Sequence, residues 1–379
     1  MIKCFFGQIY TPEYYGLGRI IVEDGIITSI TLSKTPTRQD FSGGVDCILA
    51  PGFIDLHIHG ALGHDVIEGT PEAFNAVSRF EASSGCTAFL PTLLSYDRKV
   101  MSEIIKEYPK LSGKVSGATP VGLNLEGPLL NREYHGAMDP RLFCNGCYDW
   151  LFNMLSTGVV KFMTVAPELD CALEVIEFMH QKGIAVGLGH SGANLEEASK
   201  ALALGSANLT HTFNAMKSMH HREPGLVGLG LMASNCKASM IVDGEHLHPL
   251  MVDMIFRLKG KENTYLISDA VSGSGMEPGT YKLGAYEVTV DGFSSKLAKS
   301  KTLAGSILQM DRAVRNFINY TKAKFSDAFH IASTTPASII NDTTRGKLEI
   351  GKRGDLVILN KNLEVLHTVV GGETVYSKE

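Results

Sequence analysis

Four histidines and two acidic residues stand where short apolar segments of the sequence end. His57 and His59 are separated by one residue, so a strand would place both side chains on the same face. The other members of this set are Glu126, His190, His211 and Asp269. Neutral imidazole and carboxylate are preferred ligands of zinc and similar divalent ions. A single histidine at such a place is commonly structural, but six residues at five strand ends predict a metal site.

The segments that precede these residues predict parallel strands joined by helices. Short apolar runs alternate with helical patterns such as 170–182 and 194–204. Eight runs qualify as strands: 53–58, 86–90, 121–125, 160–165, 184–188, 207–210, 238–242 and 264–267. Eight strands over about 290 residues fit a (β/α)8 TIM-type barrel, whose catalytic residues lie at the C-terminal ends of the strands. A doubly wound open sheet is the alternative fold.

The two ends of the chain predict a separate, small β-sandwich domain. The stretch 19–30 contains two β-branched runs joined by Asp24-Gly25, which is a strong hairpin signal. The stretch 346–375 repeats this pattern of short runs and glycine turns. Both termini are therefore expected to contribute strands to one domain.

The domain boundaries follow from where these patterns change. We predict a β domain formed by residues 1–50 and 345–379, and a metal-binding (β/α)8 barrel formed by residues 51–344. Within the barrel, residues 277–300 are too long for a loop between a strand and a helix, so they predict a small hairpin excursion.

The composition restricts the partners of the protein. The 379 residues include 35 Lys plus Arg against 40 Asp plus Glu, for a formal charge of −5. This balance argues against a nucleic-acid partner, which needs a basic face, but not against a small anion held by one arginine. No apolar stretch approaches the roughly 20 residues that span a bilayer, and the N-terminus lacks a signal-peptide pattern. Seven cysteines without a disulfide-framework spacing favour reduced thiols, so we expect a cytoplasmic protein without a membrane partner.

Phrases along the whole chain resemble the amidohydrolase superfamily, and several resemble one family within it. Pro51-Gly-Phe-Ile-Asp-Leu-His-Ile-His-Gly60 is similar to the superfamily's entry into the barrel, and 346–357 is similar to its return into the small domain. The narrower phrases are Leu125-Glu-Gly-Pro128, Gly189-His-Ser191, Thr210-His-Thr-Phe-Asn-Ala-Met216, Arg222-Glu-Pro-Gly225, Asp243-Gly-Glu-His246, Ser268-Asp-Ala270 and Thr302-Leu-Ala-Gly-Ser306. They resemble the metal-dependent N-acetylglucosamine-6-phosphate deacetylases.

The resemblance implies a role for each residue of the candidate site. The matches to metal ligands are Glu126, His190 and His211 for the principal ion, and His57 and His59 for a second. Zinc is the first expectation, with iron, manganese or cobalt as alternatives and one or two ions per subunit. Asp269 matches the family's catalytic carboxylate. The matches to its sugar-phosphate contacts are Asn214, Ala215, Arg222 and His246, and the family resemblance also implies a homodimer.

The implied reaction is hydrolysis of the N-acetyl group of an amino-sugar 6-phosphate, which is chemically coherent with these residues. A metal lowers the pKa of its bound water to about 7. Asp269 can accept the proton of this water and return it to the leaving amine. The planar guanidinium of Arg222 suits the oxygens of a phosphate. Leu303, Ala304 and Gly305 precede a helical pattern, so their backbone N–H groups can face ligand oxygens.

One phrase departs from the family's pattern on the substrate side. After Glu-Gly-Pro the family has a Gly-Ala-His phrase whose histidine contacts the acetamido group, whereas this chain has His135-Gly-Ala-Met138. A thioether cannot donate a hydrogen bond. Either His135 supplies the contact from a neighbouring turn, with Ala137 and Met138 beside the substrate, or the N-acyl group is bound differently. The exact amino sugar stays open, and N-acetylgalactosamine 6-phosphate is the alternative substrate.

Two other functions compete with this interpretation. Cyclic-amide hydrolases and dipeptidases of the superfamily commonly bridge two metals with a modified lysine at the end of strand four, but Lys161 stands at the start of that strand. Glu126 is the better metal-holding acid, which favours the sugar deacetylase. The second competitor is a catalytically inactive barrel that serves as an interaction protein, and the presence of every expected ligand argues against it.

Overall fold

The barrel expected from the sequence is confirmed by the computed structural model, which describes residues 2–37, 44–144, 146 and 149–378. Within these residues, eight strands lie side by side in chain order, and neighbours pair in parallel. From first to eighth, these barrel strands are Phe53–Ile58, Cys86–Leu94, Leu123–Glu126, Val160–Val165, Ala185–Leu188, Ala207–Leu209, Cys236–Met240 and Thr264–Leu266. Nearly all of their residues are buried, because helices cover one face of the sheet and core side chains cover the other.

Backbone hydrogen bonds join the first and eighth strands at the C-terminal end of the barrel. The amide of Asp269, just after the eighth strand, donates to the carbonyl of His57 at 2.9 Å. The amide of His59 donates to the carbonyl of Ala270, also at 2.9 Å. The two edges of the sheet therefore meet, which distinguishes this barrel from an open doubly wound sheet. The closure also places Asp269 beside the histidines of the first strand.

Helices connect the strands and cover the barrel. In the described part of the chain they are Pro71–Ser83, Arg98–Ser112, Asp149–Leu155, Ala172–Gln181, Leu195–Ala203, Gly225–Met232, Pro249–Lys259, Met310–Thr321, Phe325–Phe329 and Thr335–Ile339. Shorter 3₁₀ turns are Val66–Glu68, Arg132–Tyr134, Pro140–Leu142 and Lys261–Asn263, and His330–Thr334 is a π-helical turn. Local sequence sets the helix starts. For example, the Asn194 side chain accepts from the Glu197 amide at 3.0 Å, and the Glu197 carboxylate accepts from the Asn194 amide at 2.9 Å.

Strands from both ends of the chain form one mixed sheet, which confirms a small terminal β domain. Its seven strands in the described residues are Ile2–Tyr10, Tyr14–Glu23, Ile26–Leu32, Ile48–Pro51, Leu356–Leu359, Val365–Val370 and Glu373–Ser377. The strands of the C-terminal segment join the N-terminal ones through Ile48–Pro51. Asp24 and Gly25 form the expected hairpin turn, with φ of 47° and 83°, as a type I′ turn requires. The exact domain boundaries stay a prediction.

The excursion after the eighth barrel strand is a small antiparallel sheet. Its strands are Gly279–Leu283, Tyr286–Val290 and Ser295–Leu297. Leu283 belongs to an apolar cluster that also contains Leu94, at the end of the second barrel strand, and Met138. The excursion therefore packs beside the C-terminal ends of the barrel strands. Further short paired segments are Gly60–Ala61 with His64–Asp65, and Thr119–Pro120.

The cysteines correct one expectation. In the described part of the chain, Cys4, Cys86, Cys144 and Cys236 are thiols that belong to no disulfide. Cys171 is instead disulfide-bonded. Disulfide pairing depends on which residues meet in space, and sequence spacing alone does not reveal it. Separately, no helix of the described residues is long and apolar enough to cross a membrane.

Candidate metal centre

Three barrel strands bring Glu126, His190 and His211 together, and we call these residues the first triad. Glu126 ends the third strand, and the histidines stand two residues after the ends of the fifth and sixth strands. The Nε2 atoms of both histidines lie 3.0 Å from Oε1 of Glu126. All three side chains are buried. Donor atoms from three different strands therefore face one point.

His57, His59 and Asp269 form a second triad beside the first. Oδ1 of Asp269 lies 3.2 Å from Nε2 of His59 and 3.6 Å from Nε2 of His57. The Nε2 atoms of the two histidines are 3.1 Å apart, in agreement with the alternation expected along a strand. The triads touch, because Oε2 of Glu126 lies 3.3 Å from Nε2 of His59. The six candidate residues thus form one continuous cluster.

Backbone carbonyls orient three of the imidazole rings. His190, His211 and His59 each direct Nδ1 at a carbonyl oxygen, while Nε2 faces the cluster. The carbonyls belong to Tyr134, Asn214 and Thr92, at 2.7, 3.2 and 3.2 Å respectively. Because a carbonyl only accepts, Nδ1 must carry the proton and the lone pair of Nε2 is free for an ion. Metal-binding histidines usually have this outer contact, so the residues present fit a divalent metal.

The carboxylates of the cluster are ionised although they are buried. Burial alone would raise the pKa of Glu126, but the facing imidazoles of His57 and His190 outweigh it and hold this pKa well below its usual range. The pKa of Asp269 is lowered for the same reason, since contacts with His59 and His57 outweigh its burial. Despite burial, the two carboxylates raise the pKa of His59 well above its usual value. The two carboxylates thus favour a positive charge at His59, and a bound cation would take the place of that proton.

Backbone strain coincides with the cluster. His190, His211 and Asp269 have φ of 47°, 32° and 51°, in the left-handed region that residues other than glycine rarely adopt. Ala215, in the loop after the sixth strand, has φ of 49°. Each such position costs about 1–3 kcal/mol and persists only where surrounding contacts hold it, most often at functional sites. The strained backbone and the donor geometry therefore mark the same residues independently.

Glu168 supports the first triad, although it was not among the expected site residues. Its Oε1 accepts hydrogen bonds from the Gly192 amide at 2.6 Å and from Nδ2 of Asn131 at 2.8 Å. Its Oε2 accepts from the Ser191 hydroxyl at 2.7 Å. The carboxylate thereby ties the loop that carries His190 to the loop after the third strand. Its position, three residues after the fourth strand ends, is the sequence signal that could have revealed it.

A cavity of about 180 Å³ is lined by residues of both triads. Other expected site residues that line it are Ala137, Met138, Asn214, Ala215, His246, Leu303 and Gly305. Lining residues that were not among the expected site residues are Leu94, Gly136, Leu283 and Thr302, of which Gly136 and Thr302 stand inside the family phrases. Leu94 could have been found as the end of the second strand. Leu283 reaches the cavity from the excursion, and no local pattern predicts that approach.

Three expected substrate contacts do not line this cavity. His135 lines a neighbouring cavity, and its Nδ1 donates to the carbonyl of Met138 at 3.0 Å. Arg222 is exposed, and its guanidinium lies 3.0 Å from Nε2 of His221. Ala304 is buried in the apolar cluster of the excursion. The single chain therefore brings neither His135 nor Arg222 to the metal centre.

A closed parallel barrel with a histidine and carboxylate cluster at its C-terminal end defines a metal-dependent hydrolase of the amidohydrolase type. The chain matches the amidohydrolase family over residues 48–375 and belongs to it. Within this family it belongs with the N-acetylglucosamine-6-phosphate deacetylases. It is 38% identical to the N-acetylglucosamine-6-phosphate deacetylase of Rattus norvegicus over 351 residues, which are 88% of this chain and 85% of the relative. The resemblance found in the sequence is thereby confirmed.

Two further comparisons describe the range of this family. The chain is 32% identical to the N-acetylgalactosamine-6-phosphate deacetylase of Escherichia coli O157:H7, over 93% of each chain. It also matches a solved structure of an N-acetyl-D-glucosamine-6-phosphate deacetylase mutant from Mycobacterium smegmatis in complex with N-acetyl-D-glucosamine-6-phosphate. The TM-score is 0.92 at 27% identity, over 99% of this chain and 100% of that one. The (β/α)8 barrel and its terminal β domain are therefore those of the family.

Proposed function

We propose that this protein hydrolyses the N-acetyl group of N-acetylglucosamine 6-phosphate to glucosamine 6-phosphate and acetate, in amino-sugar catabolism or recycling. The observation that carries the proposal is the convergence of two possible metal-binding triads on one small cavity. Membership of the deacetylase family supports the substrate class. The cavity supports a small ligand, since about 180 Å³ accommodates the reacting part of a monosaccharide rather than a polymer.

The first triad would hold the principal metal, with zinc as the first candidate and iron, manganese or cobalt as alternatives. One carboxylate and two imidazoles leave room for a water, as catalytic sites of such ions require. His57 and His59 would complete a second position, which allows one or two ions per subunit. When bound, the ion lowers the pKa of a water to about 7 and polarises the substrate carbonyl. The anchored imidazoles hold their Nε2 atoms in place for it.

Asp269 is the group that moves the proton in this proposal. Its carboxylate is ionised and lines the cavity, so Oδ1 can accept a proton from water as the water oxygen bonds to the acyl carbon. The same oxygen then gives the proton to the amide nitrogen as the C–N bond breaks. One water is consumed, and the products are a free sugar amine and acetate. No further reactant is needed.

The cavity offers polar groups for the sugar phosphate. Asn214, the backbone of Ala215 and His246 line it, and the Nδ1 of His246 is held by Oδ2 of Asp243 at 2.7 Å. Leu303 and Gly305, from the family phrase 302–306, also line this cavity. Their loop can therefore present backbone N–H groups to the substrate, as the sequence predicted. We assign these residues to the hydroxyl and phosphate groups of the substrate.

Arg222 needs a different arrangement, because it lies outside the cavity of its own chain. In a homodimer an exposed arginine of one subunit can complete the phosphate site of its partner. We therefore include a homodimer in the proposal. The mass of the protein in solution, measured by light scattering, tests this oligomeric state directly. A cytoplasmic location is likewise part of the proposal; the thiols of Cys4, Cys86 and Cys236 support it, whereas the disulfide of Cys171 is uncommon in that compartment.

A second candidate function is the same reaction on N-acetylgalactosamine 6-phosphate. The observation that favours it is the identity of 32% to a deacetylase of that sugar phosphate. The two substrates differ only in the orientation of one hydroxyl group. Discrimination between them therefore rests on hydrogen bonds to that hydroxyl group.

The test is acetate release by purified, metal-analysed protein from the 6-phosphates of N-acetylglucosamine, N-acetylgalactosamine and N-acetylmannosamine and from the unphosphorylated sugars. We expect the highest kcat/KM with N-acetylglucosamine 6-phosphate and stoichiometric metal. A higher kcat/KM with the galactosamine compound would favour the second candidate. Protein that holds no stoichiometric metal and releases no acetate would instead be an inactive interaction scaffold.

A further inference from the structure

A second cavity lies beside the catalytic one. Among the described residues, only Met138 lines both cavities. The second cavity has a volume of about 650 Å³. Its lining consists of His135, Met138 and residues of the excursion, such as Lys282, Tyr286 and Leu297. The proposed mechanism does not use this space. The side chain of Met138 is therefore a partition between the metal centre and a much larger volume.

The partition is held in place by its own turn. The amide of Met138 donates to the carbonyl of His135 at 3.0 Å, and the carbonyl of Met138 accepts from Nδ1 of His135, also at 3.0 Å. Met138 is only 5% exposed and packs in one apolar cluster with Leu94 and Leu283. Because its backbone is fixed by His135, the separation of the cavities depends on the length of the Met138 side chain.

The chemistry of the substrate decides what meets this wall. The acyl carbon must lie at the triads, within reach of Asp269, and the sugar and its phosphate need polar partners. The methyl of the acetyl group is the apolar part of the substrate. The large apolar side chains that line the catalytic cavity are Leu94, Met138, Leu283 and Leu303. Contact with this group of side chains removes the methyl from water, which is favourable.

We propose that Met138 contacts the acyl methyl and sets the maximum length of the N-acyl group that the enzyme hydrolyses. The space behind Met138 accepts a longer acyl chain when this side chain is shortened. The inference rests on the proposed deacetylase function and adds a residue that determines acyl specificity. It also gives His135 a role as a positioning residue, because its two hydrogen bonds hold the turn that carries Met138.

The experiment compares kcat/KM for the N-acetyl, N-propanoyl and N-butanoyl derivatives of glucosamine 6-phosphate. In the wild-type enzyme, each added methylene should lower kcat/KM by about tenfold or more. In Met138→Ala, the ratio of N-butanoyl to N-acetyl activity should rise at least about tenfold. Met138→Leu retains a long side chain and should keep the wild-type ratio. A ratio within one variant cancels differences in the amount of folded, metal-loaded protein.

Leu283→Ala is the matched control, since Leu283 lines the catalytic cavity but not the second one. It enlarges the catalytic cavity by a similar volume, at a side chain that does not itself line the second cavity. Its N-butanoyl to N-acetyl ratio should therefore rise much less than that of Met138→Ala. Met138→Val shortens the same side chain with less loss of packing, and it provides the ratio if the alanine variant does not fold.

Two results would overturn the inference. One is an unchanged acyl ratio in Met138→Ala or Met138→Val that still releases acetate. The other is an equal rise of the ratio in Leu283→Ala. Both leave the proposed deacetylation intact, because the wild-type enzyme would still release acetate. Wild-type protein that holds metal but hydrolyses none of the three derivatives would remove the proposed function itself.

Discussion

The two triads contain similar donors but differ in how the fold supports them. Each ligand of the first triad comes from a different barrel strand, and both of its imidazoles are oriented by backbone carbonyls. In the second triad, His57 and His59 come from one strand and Asp269 from the loop that closes the barrel. The first triad is thus a rigid holder built from separate elements. The second triad combines two histidines with Asp269, the acid that exchanges a proton in the proposed reaction. The first triad would therefore hold the ion, and the second would move the proton.

The largest effect expected from this division is on turnover. Asp269→Asn should lower kcat by about 10²–10⁴, because a positioned general acid and base contributes that much. The first triad should keep its metal, since Asp269 is not one of its ligands. Steady-state acetate release and metal analysis of the same preparation check both statements. Wild-type turnover in this variant would contradict the role of Asp269.

The next effect should be on metal retention. Glu126→Gln removes the charged ligand of the first triad. The affinity of this triad for its metal should fall by more than about 100-fold, because about 100-fold is the largest loss typical of residues that only orient a ligand. Competition with a chelator of known affinity measures this change. Glu133→Gln, at an exposed glutamate near the same strand end, is the matched control and should bind metal like the wild type. Equal retention in both variants would show that the first triad is not the principal site.

A smaller effect should come from the outer support of the first triad. Glu168→Ala breaks the contacts to Ser191, Gly192 and Asn131 and should weaken the first ion by about 10–100-fold. Glu168→Gln keeps one oxygen acceptor and should lose less. If two ions bind, the binding curve should change only at the tighter step. A change confined to the weaker step would place Glu168 in the support of the second triad instead.

The smallest effect concerns a residue outside both triads. Arg222→Ala should raise KM for phosphorylated substrates by about tenfold, the value of roughly one charge-assisted hydrogen bond. The KM for unphosphorylated sugars and the metal content of the protein should be unchanged, because Arg222 lies outside the metal cavity. The comparison of KM for each sugar with and without its phosphate is the measurement. Equal losses for both forms would reject a phosphate contact at Arg222.

Local patterns predicted most of the barrel because its strands are short, continuous and buried. The predicted strands 53–58 and 160–165 coincide with Phe53–Ile58 and Val160–Val165. The second strand continues to Leu94, four residues beyond its predicted end. The strand runs on past Pro91, although a proline lacks an amide donor and is normally confined to the edges of a sheet. Strand positions then located the candidate donors, since parallel strands end on one face of the barrel.

The sequence by itself determined the types of donors, their places at strand ends and the family to which they belong, because these depend on local pattern and motif. Only the tertiary structure decided the distances within the triads, the support by Glu168, the exclusion of Arg222 and the position of Met138 between two cavities. Each of these results depends on how residues far apart in the chain approach one another. Such approaches are set by barrel closure and loop packing, which no short stretch of sequence encodes.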